Sequence, residues 1–557
     1  MSEQSKIGNM EKLLHAGFFL TILIVTPYSV TDPINLPKMV VIVILGTACL
    51  GCLMNQKFLQ QLKKMKFLAV LSVLFIIQLS AVLIFSGRSI NQGLYGTSGR
   101  NTGFLTYLSL LIVCVAFALV SNERFLAQFR LTLSIVGCIL LLYGVIQFVG
   151  LEPFPYINIY ANNVFGTFGN PNFQSAFIGI LGAFSFTMVF DSSLTRLRRI
   201  FFGLISIFTL FGIYSTNSWQ GFFNLAAGVV VAVVLLLFRI NRTRFAVTVL
   251  SIAIFGTITI ALGILNFGPL ASTLAKASLA ARRLYWEAAV NLMRQHPLLG
   301  IGFDGFGDWY RRGRTEEAAG QNSSLVSDSA HSVPLDIGSS GGFPLLVIYL
   351  GILGLTVFSI IRVVRINSRL SVTFIAFAAA WFSYQAQSII SINQIGLGIV
   401  GWALSGLIIG YASNLSSNVN GDQVVKSGRN TKKVASTPSF PTFIGPIVGI
   451  IVGGLISLPP FMAANKFYNG LKTSDARIVN ANAFLRPLEL QRMFMAANIL
   501  ERNKFYKESY EITQMAVKNF PDSFEAWKLL SGLTNSSELD KARAKSELKR
   551  LDPYLAP

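Results

Sequence analysis

The feature that most constrains the fold of this chain is a series of apolar segments, each roughly 20 residues long, that recurs up to residue 460. A bilayer core about 30 Å thick is crossed by roughly 20 apolar residues of α-helix. Backbone polar groups find no water in hydrocarbon, so each segment must satisfy its hydrogen bonds internally, as a helix does. The sequence therefore predicts an all-α polytopic membrane protein.

Length and hydropathy together predict about 12–13 transmembrane helices. Two close pairs, 199–238 and 370–412, leave the count open by one. The candidate spans are 13–30, 38–55, 67–86, 103–121, 131–149, 173–190, 199–215, 220–238, 245–265, 343–361, 370–390, 395–412 and 442–460.

Composition agrees with a membrane protein and argues against nucleic-acid binding. Hydrophobic residues make up 52% of the chain and charged residues only 13%, whereas a soluble domain has about 25% charged residues. The net charge of +21 comes mostly from short basic runs between apolar segments, where Lys and Arg orient a chain in the bilayer. No nucleic-acid-binding motif accompanies them, so nucleic acid is not an expected partner.

The basic residues also predict the topology. One set of alternate short loops is rich in Lys and Arg, and the positive-inside rule makes that set cytoplasmic, together with the N-terminus. An odd number of spans then places the long loop 266–342 and the C-terminal domain outside. The basic positions are Lys57, Lys63, Lys64, Lys66, Arg124, Arg130, Arg196, Arg198, Arg199, Arg239, Arg242, Arg244, Arg362, Arg365 and Arg369.

The chain divides into four parts. Residues 1–412 form the predicted transmembrane catalytic domain, with its external loop at 266–342, and 413–441 form a polar cytoplasmic linker. Residues 442–460 are an additional span that carries the tail, 461–557, across the membrane. The tail is helical in period, and its stretch 516–521 resembles the end of a tetratricopeptide repeat. About two such repeats fit, which predicts either a docking surface for a protein partner or a cap.

The long polar loop 266–342 gathers most of the chemically capable side chains. It opens with a helix-like run, 271–295, in which Arg282 and Trp286 are spaced i, i+4 and share a face, with Arg283 beside them. Arg100 lies in a Gly-Arg-Asn-Thr-Gly sequence at the external mouth of the fourth span. A guanidinium suits a diphosphate because its planar fork of donors stays charged. The alternatives are contact with lipid headgroups for Arg282 and a snorkelling anchor for Arg100.

His331 is the candidate catalytic residue. It is one of three histidines and follows Asp328 and Ser329 in the loop. With an unperturbed pKa of about 6.5, a histidine is able to take a proton from a hydroxyl at neutral pH. The alternative is a structural histidine. The sequence shows no DxD pair, clustered His/Cys set or P-loop, so neither a metal nor another cofactor is expected.

Taken together, these stretches resemble the O-antigen ligase / Wzy O-antigen polymerase superfamily of GT-C-type membrane glycosyltransferases. The resemblance spreads over roughly 80–345 and implies a GT-C-like fold, a bacterial inner-membrane location and an undecaprenyl-diphosphate-linked glycan as donor. It also implies that Arg100 and Arg282 hold the diphosphate and that His331 activates or orients the acceptor. The matching pieces are Gly99–Gly103, Gly169–Asn172, Arg282-x-x-x-Trp286-x-x-Ala289, Pro297–Gly302, Ala330-His331-Ser332 and Gly341-Gly342.

The chain departs from the family pattern in two places. Asn217–Gly221 stands where the family has Ser-Arg-Gly, so a diphosphate contact is missing or is replaced by Arg283 or Gln220. Ser332 follows the histidine where the family commonly has asparagine. Because of these two departures, the resemblance does not identify the exact donor or the exact acceptor.

The expected function is therefore en bloc transfer of a glycan, with inversion, from the lipid diphosphate to an extracytoplasmic hydroxyl. The acceptor is a lipid in a ligase, a growing glycan in a polymerase, or a protein in an O-oligosaccharyltransferase. Rival interpretations are a transporter or flippase, which usually shows repeated halves, and a non-catalytic scaffold.

Overall fold

The computed structural model describes residues 3–53, 56–155, 160, 163–264, 267–268, 277–321, 326–366, 370–424 and 444–555. Within these ranges the secondary structure is helical and contains no β-strand, which confirms the all-α prediction. The α-helices are α1 (Glu3–Leu23), α2 (Asn35–Leu53), α3 (Gln56–Lys64), α4 (Lys66–Phe85), α5 (Ile90–Tyr95), α6 (Phe104–Val120), α7 (Glu123–Phe148), α8 (Pro171–Met188), α9 (Arg196–Tyr214), α10 (Trp219–Arg239), α11 (Thr243–Ile264), α12 (Ala277–Gln295), α13 (Phe306–Gly313), α14 (Glu316–Gln321), α15 (Val333–Ile366), α16 (Val372–Ile390), α17 (Ile395–Val424), α18 (Ile444–Lys472), α19 (Ala476–Ala483), α20 (Leu490–Arg502), α21 (Tyr506–Asn519), α22 (Phe524–Gly532) and α23 (Glu538–Leu551).

Nine helices of the described residues are long and apolar enough to cross a membrane: α2, α4, α7, α9, α10, α11, α15, α17 and α18. The remaining candidate spans fall on α1, α6, α8 and α16, and α6 is a shorter apolar helix of 17 residues. Every predicted span thus overlaps a helix, and residues 24–30 of the first span lie beyond the end of α1. The polytopic membrane architecture is confirmed, and the higher count of about 12–13 spans stays a prediction.

The centre of the bundle is the pair α6 and α17. Every residue of α6 from Leu105 onward is buried except Leu108, and so is the apolar part of α17. Aromatic rings fill the space around them: Phe129 contacts Phe125, Phe117 and Phe377 at centroid distances of 6.0, 5.0 and 5.6 Å. Because α6 begins directly after Gly103, this packing fixes where Arg100 emerges from the membrane domain.

Two predicted boundaries fall inside helices. Helix α17 runs to Val424, so the first part of the predicted linker 413–441 continues that helix, while 425–443 lie outside the described residues. Helix α18 runs past residue 460 to Lys472. The last predicted span and the beginning of the tail are therefore one continuous helix, which joins the tail directly to the membrane domain.

The tail forms a helical domain with its own core. Trp527, Leu500 and Ile512 are buried there, and Phe467 on α18 belongs to the same cluster. Two consecutive helix pairs, α20 with α21 and α22 with α23, make up most of it. The tetratricopeptide-like assignment stays a prediction.

A stripe of glycines packs α18 against α2. Gly445, Gly449 and Gly453 are spaced four residues apart, and a Cβ built on Gly449 would lie 2.2 Å from the carbonyl oxygen of Thr47. Small residues at this spacing let two membrane helices approach at backbone contact. The glycine stripe therefore holds α18, the helix that continues into the tail, against the membrane bundle.

We expect Gly449→Val to separate α18 from α2 and to lower the apparent melting temperature in detergent, because overpacking costs about 1–3 kcal/mol or more. The matched control is Gly256→Val on α11, where a Cβ meets nothing within 4 Å. Equal melting temperatures for the two variants would contradict the close packing at Gly449.

Candidate active site

The described part of the long loop forms α12, α13, α14 and the start of α15. Its opening helix is α12, beginning at Ala277, and residues 271–276 of the predicted run lie outside the described residues. Helix α13 packs on α12: Tyr285, Leu292, Phe306 and Tyr310 share one buried cluster. The predicted helix-like run is thus confirmed from residue 277 onward.

The turn after α12 is bonded to a break in α15. Gly342 has φ +73° and interrupts that helix. At the break, Ile301 donates its N–H to the carbonyl oxygen of Ser339 at 2.8 Å, and Phe343 donates to that of Pro297 at 2.9 Å. Gly300 has φ +62°, and a Cβ there would lie 2.4 Å from the Ser339 oxygen. Glycine is needed at both positions for backbone conformation and close approach.

Arg100 is surrounded by carboxylates. Its guanidinium nitrogens lie 3.6 Å from Asp304, 3.5 Å from Asp336 and 3.9 Å from Asp328. Arg100 is 9% exposed, and the Asp304 and Asp336 side chains are 4% and 7% exposed. Burial alone would lower the pKa of Arg100, and the three carboxylates reverse this and raise it. Its charge is compensated from within the protein.

Asp304 ties the Gly99–Gly103 motif to the loop. Its carboxylate accepts hydrogen bonds from the N–H of Thr97 at 3.0 Å and of Thr102 at 2.9 Å, and also from the Thr102 hydroxyl. A carboxylate with several donors and a cation is held firmly in place. The mouth of α6 and the turn before α13 are therefore one rigid unit.

Asp336 shapes the segment that carries His331. Its two oxygens accept from the Ser329 hydroxyl at 2.7 Å and from the Ala330 N–H at 2.8 Å. The Ser329 hydroxyl in turn accepts from the His331 N–H at 2.9 Å. His331 has φ +52°, a conformation that non-glycine residues adopt only when surrounding contacts enforce it.

The His331 ring is oriented by the backbone of Ser329, two residues earlier in the chain. Its Nδ1 lies 3.2 Å from the carbonyl oxygen of Ser329 and 3.4 Å from the Ser327 hydroxyl, and its ring stands 5.1 Å from that of Tyr285. A carbonyl only accepts, so this contact assigns the proton to Nδ1 and leaves the lone pair on Nε2. The free nitrogen is the one that a general base uses.

The surroundings keep His331 neutral. Burial lowers its pKa below 6.5, and the nearby Arg282 and Arg100 lower it further. The hydrogen bond to Ser329 and the charge of Asp328 act in the opposite direction without reversing the result. At pH 7 the imidazole is therefore ready to accept a proton.

The two arginines of α12 differ in their partners. Arg283 pairs with Glu287 at 2.9 Å and with Glu317 at 3.7 Å. Half-buried Arg282 forms no ion pair with the described residues, and burial lowers its pKa. A partly desolvated cation without a counter-charge favours binding of an anion.

Trp286 and Gln220 occupy different places. Trp286 lies on α12 one turn after Arg282, half-buried, and its indole N–H has no hydrogen-bond partner among the described residues. Gln220 is the second residue of α10 and is buried beside Gly221, which packs against Ser175 of α8. Neither the nitrogen nor the oxygen of its side-chain amide has a described hydrogen-bond partner. The described hydrogen bonds and ion pairs do not join Gln220 to the His331 segment.

Residues 201–350 match the family described as O-antigen ligase. The matched stretch covers less than half of the 557-residue chain. The match supports the resemblance to the O-antigen ligase / Wzy superfamily, and it includes Gln220, Arg282, Trp286 and His331, whereas Arg100 precedes it. No curated protein matches the chain.

Residues of the matched stretch that the sequence analysis did not single out are Asp304, Asp336 and Tyr285. The rarity of acids could have drawn attention to Asp304 and Asp336, because only 25 Asp and Glu occur in the whole chain. An acid at the start of an apolar helix, such as Asp336, also requires a buried partner. Among the described residues, no group of three or more His, Cys, Asp or Glu side chains is arranged to hold a metal ion.

We expect Arg100→Ala to destabilise the protein by about 3–5 kcal/mol, because it leaves buried carboxylates without a cation. Arg283→Ala is the control, since its partners are 36% and 58% exposed and such pairs are worth about 1 kcal/mol or less. Thermal unfolding in detergent measures both. Similar losses in the two variants would show that Arg100 does not hold the acid cluster together.

Proposed function

We propose that the protein is an inverting glycosyltransferase that moves a glycan en bloc from undecaprenyl diphosphate to an acceptor hydroxyl on the extracytoplasmic face. The observation that carries the proposal is that half-buried Arg282 forms no ion pair with the described residues and acts by its charge on a neutral His331, whose Nε2 has no hydrogen-bond partner among those residues. An anion site beside a base is what displacement of a diphosphate by a hydroxyl requires.

In this proposal Arg282 binds the diphosphate. Its guanidinium donates to the phosphate oxygens and offsets the charge that grows as the sugar–phosphate bond breaks. The indole N–H of Trp286, on the same face, supplies a second donor. Because these donors stabilise the leaving group, the reaction needs no metal or other cofactor. Arg283 is occupied by two glutamates, and Gln220 lies at α10, so neither is assigned a diphosphate contact here.

Arg100 takes a different role from the one implied by the resemblance. Its charge is offset by Asp304 and Asp336, which leaves little attraction for a second anion. We assign it to positioning: it holds Asp336, which holds the segment ending at His331.

His331 then acts on the acceptor. Its Nε2 accepts the proton of the acceptor hydroxyl as that oxygen bonds to the anomeric carbon, and the bond from this carbon to the diphosphate breaks in the same step. One displacement inverts the anomeric configuration. The acceptor hydroxyl belongs to a lipid, a growing glycan or a protein, in a bacterial inner membrane with the N-terminus cytoplasmic and the loop outside.

The test compares donor binding and transfer in purified variants. His331→Ala is expected to lower kcat by roughly 10²–10⁴-fold, the usual contribution of a general base, while binding of the lipid-linked donor stays unchanged. Arg282→Ala is expected to weaken donor binding. The control is His296→Ala, whose ring packs on Trp309 at 4.7 Å in the same loop. Loss of donor binding in His331→Ala would make His331 a ligand of the diphosphate rather than a base.

The pH dependence follows from the groups that face His331. Activity requires the neutral imidazole, and the lowered pKa places the acid limb of kcat/KM, which reports the free enzyme, below pH 6.5. In Arg282→Gln one cation that lowers this pKa is removed, while Tyr285, Arg100 and Asp328 remain. We expect the acid limb to move to higher pH. A shift to lower pH, or none, would contradict the proximity of the two groups.

A further inference from the structure

The C-terminal domain forms ion pairs with α13, the helix that lies beside the candidate catalytic residues. Helix α13 and the residue after it carry three arginines, Arg311, Arg312 and Arg314, and each pairs with an acid of the tail. Arg312 lies 3.1 Å from Asp522. Arg311 lies 3.4 Å from Glu525 and 3.5 Å from Asp552.

The pair between Arg314 and Asp552 is the most buried of these contacts. One guanidinium nitrogen donates to both carboxylate oxygens, at 2.9 and 2.8 Å, and the two side chains are 1% and 2% exposed. Arg311 adds a stacked contact, with its guanidinium 3.9 Å from the ring centre of Phe524. Buried ion pairs fix one relative placement, because an unpaired partner left inside is strongly unfavourable.

From α13 the contacts continue to His331 through two aromatic rings. Tyr310 of α13, which is fully buried, meets Tyr285 edge to face at 5.6 Å. Tyr285 faces the His331 ring at 5.1 Å. Helix α13 is also held by Arg88, whose guanidinium lies 3.0 Å from Asp308. Ion pairs thus hold α13 to both the membrane domain and the tail.

We propose that the C-terminal helical domain is a positioning element of the active site: Asp522, Glu525 and Asp552 hold α13, and α13 holds Tyr285 against His331. This rests on the proposed function for its effect on catalysis. The tail's acids are positioning residues, since they reach the reacting groups only through α13. The role accounts for α18, which delivers the tail to this face as a continuation of a membrane helix.

The test variant is Asp552→Asn, which keeps the size of the side chain and removes its charge. We expect kcat for transfer to fall by about 10–100-fold, the cost of a displacement of about 1 Å at a reacting group. The KM for the lipid-linked donor should stay the same, since Arg282 is untouched. Amide exchange in 306–313 should accelerate. Asp552→Glu, which restores the charge, should recover part of kcat.

The matched control is Asp540→Asn, which breaks a hydrogen-bond network inside the tail with Tyr510, Gln514 and Ser537 and leaves α13 alone. Equal losses of kcat in the two variants would overturn the proposal, because general weakening of the tail would then explain both. Unchanged kcat in Asp552→Asn would overturn it as well.

A readout without turnover separates this proposal from the proposed function. The pKa of His331, followed by NMR with labelled histidine, should rise toward 6.5 in Asp552→Asn, because Tyr285 loosens and the ring gains water while the charged groups that face it, Arg282, Arg100 and Asp328, are unchanged. If the wild type transfers no glycan but this pKa still shifts, the transferase assignment fails and the positioning stands. An unshifted pKa overturns the positioning whatever the activity.

Discussion

The acid cluster around Arg100 is the interaction on which the site depends. It joins three segments that are far apart in the chain: the mouth of α6, the turn before α13 and the first turn of α15. Burying any one of these charged side chains alone would cost free energy. The opposite charges beside it offset that cost. The left-handed His331, its fixed ring and the hydrogen bonds of Ser329 all follow from where Asp336 is held.

The cluster also divides the arginines by function. A guanidinium that already faces carboxylates adds little positive potential for a ligand, while one that is partly buried without a partner attracts an anion. Arg100 and Arg283 are of the first kind, whereas Arg282 forms no ion pair with the described residues, which is why the proposal gives it the anion. A count of arginines along the loop therefore overstates the number of anion-binding groups.

The membrane domain and the tail are joined by a continuous helix, α18, and by ion pairs. The glycine stripe of α18 fixes that helix on α2, and the same helix continues into the core of the tail through Phe467. The tail then returns to contact α13 by ion pairs. A domain that contacts the loop through acidic side chains and Phe524 is well suited to hold a short polar helix that shares a small apolar cluster with α12.

The sequence by itself determined the helical membrane architecture, because apolar segments of this length have no other way to satisfy their backbone in a bilayer. It also determined which loop carries Arg282, Trp286 and His331, since polar residues concentrate between spans. Only the tertiary structure decided that Arg100 faces Asp304 and Asp336, more than 200 residues away, that Gln220 lies among α8 and α10, and that α13 faces the tail. Those outcomes depend on long-range packing and on compensation of buried charge, which local pattern does not encode.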